Sequence, residues 1–235
     1  MPGPDPARRS HSLARRPGLH FLDAWTSLPP FELLRLLIPA GLLVAAVFVP
    51  GRRMARVVAL AVAATLPGHP DLGFGFLPWG WCALWIAVAW GVGVSRGPSS
   101  TELPPRPGGF ESGAVGLLLS LAIVTLLVVA IGRQNLSLDL TRRASYGLLL
   151  IGAGVLHLLL RRDMVRAMVA FGALGLGLQS LDGIARESML PIDDPPRGLV
   201  LAATAMAVGL AARIAWVRQQ DAGSAWVNDA HDLHD

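Results

Sequence analysis

Five stretches of this chain run for about twenty residues with almost no charge: 31–50, 72–94, 112–132, 164–185 and 197–217. An α-helix rises about 1.5 Å per residue, so about 20 apolar residues match the roughly 30 Å hydrocarbon core of a bilayer. Two shorter runs join them. Residues 145–160 make a span if they extend back to Thr141, and residues 54–66 make either a tilted span or a half-helix ending before Pro67. The expected fold class is therefore all-α, a polytopic transmembrane helical protein of seven spans, or six if 54–66 does not cross. Composition agrees. Charged residues are 15% of the 235, against about 25% in an average globular chain, and the mean hydropathy is +0.52. A disordered tail, a disulfide scaffold and an ordinary soluble enzyme are excluded. The lone Cys82 allows no internal disulfide.

The net charge of +4 and a pI near 10.8 would suit a nucleic-acid partner. All 20 basic residues, however, are arginines set in short clusters between apolar runs, where a membrane protein keeps them. The lipid bilayer is the expected partner, and nucleic acid is not. Residues 1–30 carry Pro2, Pro4, Pro6 and the pairs Arg8-Arg9 and Arg15-Arg16. Pro17-Gly18-Leu19-His20 is not the apolar stretch that a signal peptide needs after its arginines. This region reads as a tail ending in a short interfacial segment around Phe21 to Trp25. The proline- and glycine-rich residues 95–111 form a linker. It separates a three-span part, 31–94, from a four-span part, 112–218, and residues 219–235 are a polar, acidic tail.

Arginine in short loops sets orientation. Arg52, Arg53 and Arg56 follow the first run, while Arg161, Arg162 and Asp163, with Arg166, form the turn between the fifth and sixth. With seven spans both clusters share one side, which places them and the C-terminus in the cytoplasm. Arg8, Arg9, Arg15, Arg16, Arg142 and Arg143 argue against that orientation.

Chemistry inside the spans is sparse. His157 lies one helical turn before Arg161. With an unperturbed pKa of about 6.5 it is a candidate for a proton path, and its plainer role is a neutral side chain hydrogen-bonded to a neighbouring helix. Asp182 is the second proton-path candidate, although Arg186 four residues on is placed to pair with it. Gly172, Gly175 and Gly177 form a small-residue helix-packing face, for another helix of this chain or of a partner. Trp79 and Trp81 suit the membrane interface, and Trp85 and Trp90 suit lateral packing against protein or lipid. His231 and His234 have a metal-like spacing but sit in the polar tail. There is no phosphate-cradling Gly-Lys-Ser/Thr, no dinucleotide fingerprint, no cysteine pair for a cluster and no nucleophile–base constellation. No catalytic residue, metal or cofactor is expected in this chain.

Residues 145–218 follow a distinctive order: an apolar span, a tight basic turn, a glycine-rich span, a polar loop and an alanine-rich span. Gly147-Leu148-Leu149-Leu150-Ile151-Gly152-Ala153-Gly154 leads into Arg161-Arg162-Asp163-Met164-Val165-Arg166, and Asp193-Asp194-Pro195-Pro196-Arg197-Gly198-Leu199-Val200-Leu201 opens the last span. This module resembles the K subunit of bacterial respiratory complex I, whose turn reads Arg-Arg-Asn, and the C subunit of Mrp-type cation/proton antiporters, whose last span opens Asp-Pro-x-Pro-x-Ala-Leu-Val-Leu. The longer layout resembles component E of hydrogenase-4-type formate hydrogenlyase. The resemblance implies a bacterial inner-membrane location and a place among other membrane subunits of a hetero-oligomeric complex, beside an antiporter-like subunit. It also implies two membrane-embedded glutamates in the complex I relative. Their positions fall here at Gly172 and about Gly209, neither of which is acidic.

The resulting expectation is a subunit without redox centres in a complex I-like ion-translocating assembly, whether an energy-converting hydrogenase, a formate hydrogenlyase-like complex or an Mrp-type antiporter. Its task would be to hold the antiporter-like subunit. A stand-alone small-solute or ion transporter is the rival, and it predicts internal repeats and paired broken helices around a midplane site. Pro39 and Pro67 can break helices, but no matching pair recurs in the second half. A lipid-modifying enzyme would need clustered polar residues at one interface, and none is found.

Overall fold

The computed structural model describes residues 25–48, 52–69, 72, 75–94, 118, 122, 125, 126, 129, 137–160, 164–188 and 198–222, and these contain helices but no strand. The main helices are α1 (Pro30–Phe48), α2 (Arg52–Thr65), α3 (Phe76–Val94), α4 (Leu138–Leu160), α5 (Met164–Ser188) and α6 (Leu199–Ala222). All but α2 are long and apolar enough to cross a membrane, which makes five candidate spans among the described residues. Of the run 112–132 only five residues are described, all helical and exposed. The turn formed by Arg161, Arg162 and Asp163, the linker 95–111, residues 1–24 and the tail from 223 lie outside the described residues.

The helix limits have local causes. Pro30 opens α1, where a missing N–H costs nothing, and the helix runs unbroken through Pro39 to Phe48, two residues short of Pro50. α2 stops because Pro67 cannot continue the ladder. The chain tightens into a 3₁₀ turn over Leu66–Gly68, and the Thr65 hydroxyl donates to the Val62 carbonyl at 2.7 Å. At the start of α4 the Ser137 hydroxyl accepts from the Leu140 amide at 3.4 Å, and Asp139 pairs with both Arg142 and Arg143 one turn along. Those ion pairs let α4 begin eight residues before the first strongly apolar stretch.

The helices share one core rather than forming two bodies. Leu43, Val58, Trp85, Leu150, Val169 and Val208 belong to a single buried cluster, so the parts on either side of 95–111 are packed into one bundle. α5 is the hub, contacting α2, α3, α4 and α6, and its span is the most buried at 67%, against 22% for α6. Its three glycines explain this arrangement. Successive residues turn about 100° on a helix, so Gly172, Gly175 and Gly177 do not line up as one face. A Cβ at Gly172 would sit 3.1 Å from the Trp85 ring of α3, one at Gly175 would sit 2.8 Å from Cβ of Thr204 on α6, and one at Gly177 would sit 2.5 Å from the Gly147 carbonyl oxygen of α4. Each glycine admits a different helix of the same chain. The antiparallel α4–α5 pair meets again seven residues along both helices, where a Cβ at Gly154 would lie 2.9 Å from the Ala170 carbonyl oxygen.

The tryptophans of α3 divide differently from the sequence expectation. Trp81 joins Trp85 in full burial at 0% exposure, whereas Trp79 and Trp90 are 65% and 69% exposed. Residues 81 and 85 are one turn apart and share the face toward the core. Residues 79 and 90 are three turns apart and share the outer one. Trp81 is thus a core residue.

Candidate functional site

Charged and polar side chains are costly inside a bilayer unless they are paired, so the buried polar groups locate the candidate chemistry. They form two layers, one near each end of the bundle. At the first end come together the C-terminal ends of α1, α3 and α4 and the N-terminal ends of α2 and α5. His157, 1% exposed, lies here on the last turn of α4 with Nε2 3.0 Å from the Leu43 carbonyl oxygen of α1. A carbonyl only accepts, so this nitrogen carries the proton and donates it. One turn further along α1, the Arg166 Nη1 of α5 donates to the Ala46 carbonyl at 2.9 Å, with Arg166 only 5% exposed.

The second bond has a sequence cause. The last four carbonyls of a helix lack an intrahelical donor, and the residue four beyond Ala46 is Pro50, which has no N–H to give. Arg166 supplies the missing donor and places a positive charge where the α1 dipole is negative. Beside it, the Arg56 guanidinium of α2 lies over Gly93 in the last turn of α3, where a Cβ would fall 3.1 Å from its Cζ. Of these basic side chains, Arg166 closes a helix C-terminus.

At the second end, His69 follows the 3₁₀ turn and stacks on Tyr146 of α4, with ring centroids 5.0 Å apart and 26° between planes. Their exposures are 4% and 0%. Thr141, Ser145, Gln179 and Ser180 are also buried near this end. The two serine hydroxyls need no partner helix: Ser145 donates to the Thr141 carbonyl and Ser180 to the Leu176 carbonyl, the latter at 3.3 Å, each one turn back on its own helix. Asp182 is bound to Arg186 at 2.8 Å on a partly exposed face of α5. It is not brought near His157, which belongs to the opposite end, so the two proton-path candidates do not share a site.

His69 and Tyr146 were absent from the sequence reading. They stand 77 residues apart, and nothing local to either marks the stack. The one available signal was Leu66-Pro67-Gly68 just before His69, which marks a chain reversal that a buried ring could follow.

What the layers can do chemically is limited. Arg166 cannot release its proton in a protein, and His157 holds one against a carbonyl. Where the family resemblance would place two glutamates, Gly172 is covered by the Trp85 ring and Gly209 has open space beside it on the outer side of α6. Every acidic residue among the described ones, namely Glu32, Asp139, Asp182, Glu187 and Asp221, lies within about two turns of a helix end. No group of three or more metal-ligating side chains occurs among the described residues. The chain matches no family model, no curated protein and no solved structure.

Proposed function

We propose that this chain is a scaffold subunit of the bacterial inner membrane that holds a larger antiporter-like subunit in a complex I-like ion-translocating assembly. The observation that carries the reading is the use made of the buried basic side chains. His157 and Arg166 are committed to backbone carbonyls of α1, and no acid lies mid-span among the described residues. Such an interior fixes helices against one another and offers no chain of carboxylates for an ion to follow. Partners in the assembly supply the ion path and any redox centres.

Seven spans remain the preferred count. The five candidate spans are joined by the run 112–132 and by α2, whose 14 residues rise about 21 Å before the 3₁₀ turn adds about 6 Å more. Charge supports the cytoplasmic assignment of the C-terminus. The end that gathers Arg52, Arg53, Arg56, Arg166, Arg213 and Arg218 has Asp221 as its acid among the described residues. At the other, Arg142, Arg143 and Arg186 are paired with Asp139 and Asp182.

A stand-alone transporter is the second reading, favoured by the short α2 ending beside the buried His69–Tyr146 stack, since interrupted helices often flank transport sites. The test is to tag the chain in its own host and extract membranes in mild detergent. The scaffold reading expects co-migration with a polytopic antiporter-like subunit and no cation or proton flux from the isolated chain in liposomes. A chain that migrates alone and moves ions in liposomes would replace it with the transporter.

A further inference from the structure

The uncovered face of α2 has an unusual order along its axis. Arg53, Arg56, Val57, Leu60 and Ala64 are all exposed, while Ala55, Val58, Ala59, Val62 and Ala63 are buried against the bundle. At about 100° per residue the five exposed positions fall in one stripe. Its two cations are at the end of the bundle, and its apolar members run inward from them. Val57 is 59% exposed and Leu60 45%. The stripe continues onto the neighbouring helix, because the Arg56 guanidinium lies over Gly93 and Trp90, 69% exposed, is one turn deeper on α3.

The two arginines differ from those of the bundle that are paired or bonded, and unlike the exposed Arg213 of α6 they stand together on one face. Arg142, Arg143 and Arg186 are neutralised by acids on their own helices, and Arg166 is spent on a carbonyl. Arg53 and Arg56 have no acidic partner among the described residues, yet three-residue spacing holds their like charges on one face, which is unfavourable without a counter-charge. Guanidinium groups only donate hydrogen bonds, and their planar forks suit phosphate oxygens. The missing counterpart must therefore be an anion bearing acceptor oxygens. It must also be apolar below its charge, because the surface directly beneath the arginines is Val57, Leu60 and Trp90.

We propose that the α2–α3 face is a binding site for one anionic phospholipid. Its phosphate is held between Arg53 and Arg56, and its acyl chains lie along Val57, Leu60 and the Trp90 ring. Basic clusters of this kind at the cytoplasmic edge of spans recognise anionic headgroups. The site is independent of the scaffold reading, since it requires only that α2 and α3 stand in a bilayer.

The test uses the full chain purified in mild detergent, delipidated and titrated with phosphatidylglycerol, cardiolipin or phosphatidylcholine. Bound lipid is counted by native mass spectrometry, and the melting temperature is followed in parallel. At least tenfold tighter binding of the anionic lipids than of phosphatidylcholine is expected, with a rise in melting temperature for the anionic lipids alone. The double variant R53Q/R56Q should lose that preference, while R213Q, which removes an exposed arginine from α6, should keep it. Equal binding of phosphatidylcholine to the unaltered chain overturns the proposal without recourse to any variant. An equal loss in R213Q overturns it as well, since it would reduce the effect to net charge. Glycerol phosphate is the remaining arm: if it raises the melting temperature as the lipids do, the site takes a free phosphate and the lipid assignment fails.

Discussion

Arg166 and His157 both donate to α1, but the acceptors differ in what they lose without them. The Leu43 carbonyl has the amide of Val47 one turn ahead as its helical donor, whereas Ala46 has Pro50. Removing Arg166 as Arg166→Met should therefore cost about 1.5–3 kcal/mol, the range for a hydrogen bond to a charged group. His157→Gln should cost less than about 1 kcal/mol, because the glutamine amide nitrogen reaches nearly the same place as Nε2 and donates likewise. Denaturant unfolding in mixed micelles would read both, and the order of the two is the sharper check. If the chain stands in the proposed assembly, proton movement in vesicles containing that assembly should be unchanged by His157→Gln, since an amide keeps the hydrogen bond but carries no proton; lost movement with intact assembly would make His157 part of the path. The histidine's contact with a neighbouring helix was readable from a polar residue set in an apolar run. The role of Arg166 was not. It looked like one more cation of a surface turn, and only its bond to the Ala46 carbonyl, whose helical donor would fall at a proline in the sequence, shows why the charge is buried.

At the level of helices, α5 gives the cleanest contrast. Gly177 and Gly183 belong to the same helix, but a Cβ at Gly177 meets the Gly147 backbone whereas one at Gly183 meets nothing within 4 Å. Gly177→Ala should destabilise by about 1–3 kcal/mol through overpacking. Gly183→Ala should stabilise by about 0.5–1 kcal/mol through helix propensity alone. Steric-trap or detergent unfolding would measure the pair, and equal effects would mean that α4 and α5 are not in close contact. The glycines were legible as packing positions, because a bilayer gives small residues little other use. Their partners were not legible, since spacings of three and two residues point around the helix rather than along it. The long helices themselves were visible in the hydropathy, with α1 found at 30–48 for a run of 31–50. The sequence allowed α4 to reach back to Thr141, and its first three residues lay beyond that, where Asp139 now pairs with Arg142 and Arg143.

For the molecule as a whole, the uneven charge of the two ends predicts a direction in the membrane. With Cys82 replaced by serine, a cysteine placed at Asp139 should react with a membrane-impermeant thiol reagent added to intact cells, while cysteines at Arg53 and Arg218 should react only after permeabilisation. The reverse pattern would invert the orientation. Position 163, in the arginine turn, should behave as Arg53 does.

The bonds that close α1 also impose an order in time. Two carbonyls of its C-terminal half, Leu43 and Ala46, are met by His157 and Arg166, which lie 114 and 120 residues further along the chain. At about 5–20 residues per second of synthesis, roughly 6–24 s separate the emergence of α1 from that of the groups that complete it. α4 and α5, by contrast, are neighbours in sequence and can pair as soon as both have left the ribosome. The C-terminal hairpin thus becomes the template on which the oldest helix is finished. A chain cut after α3 should be inserted and then degraded, whereas co-expressing the missing second half should rescue it.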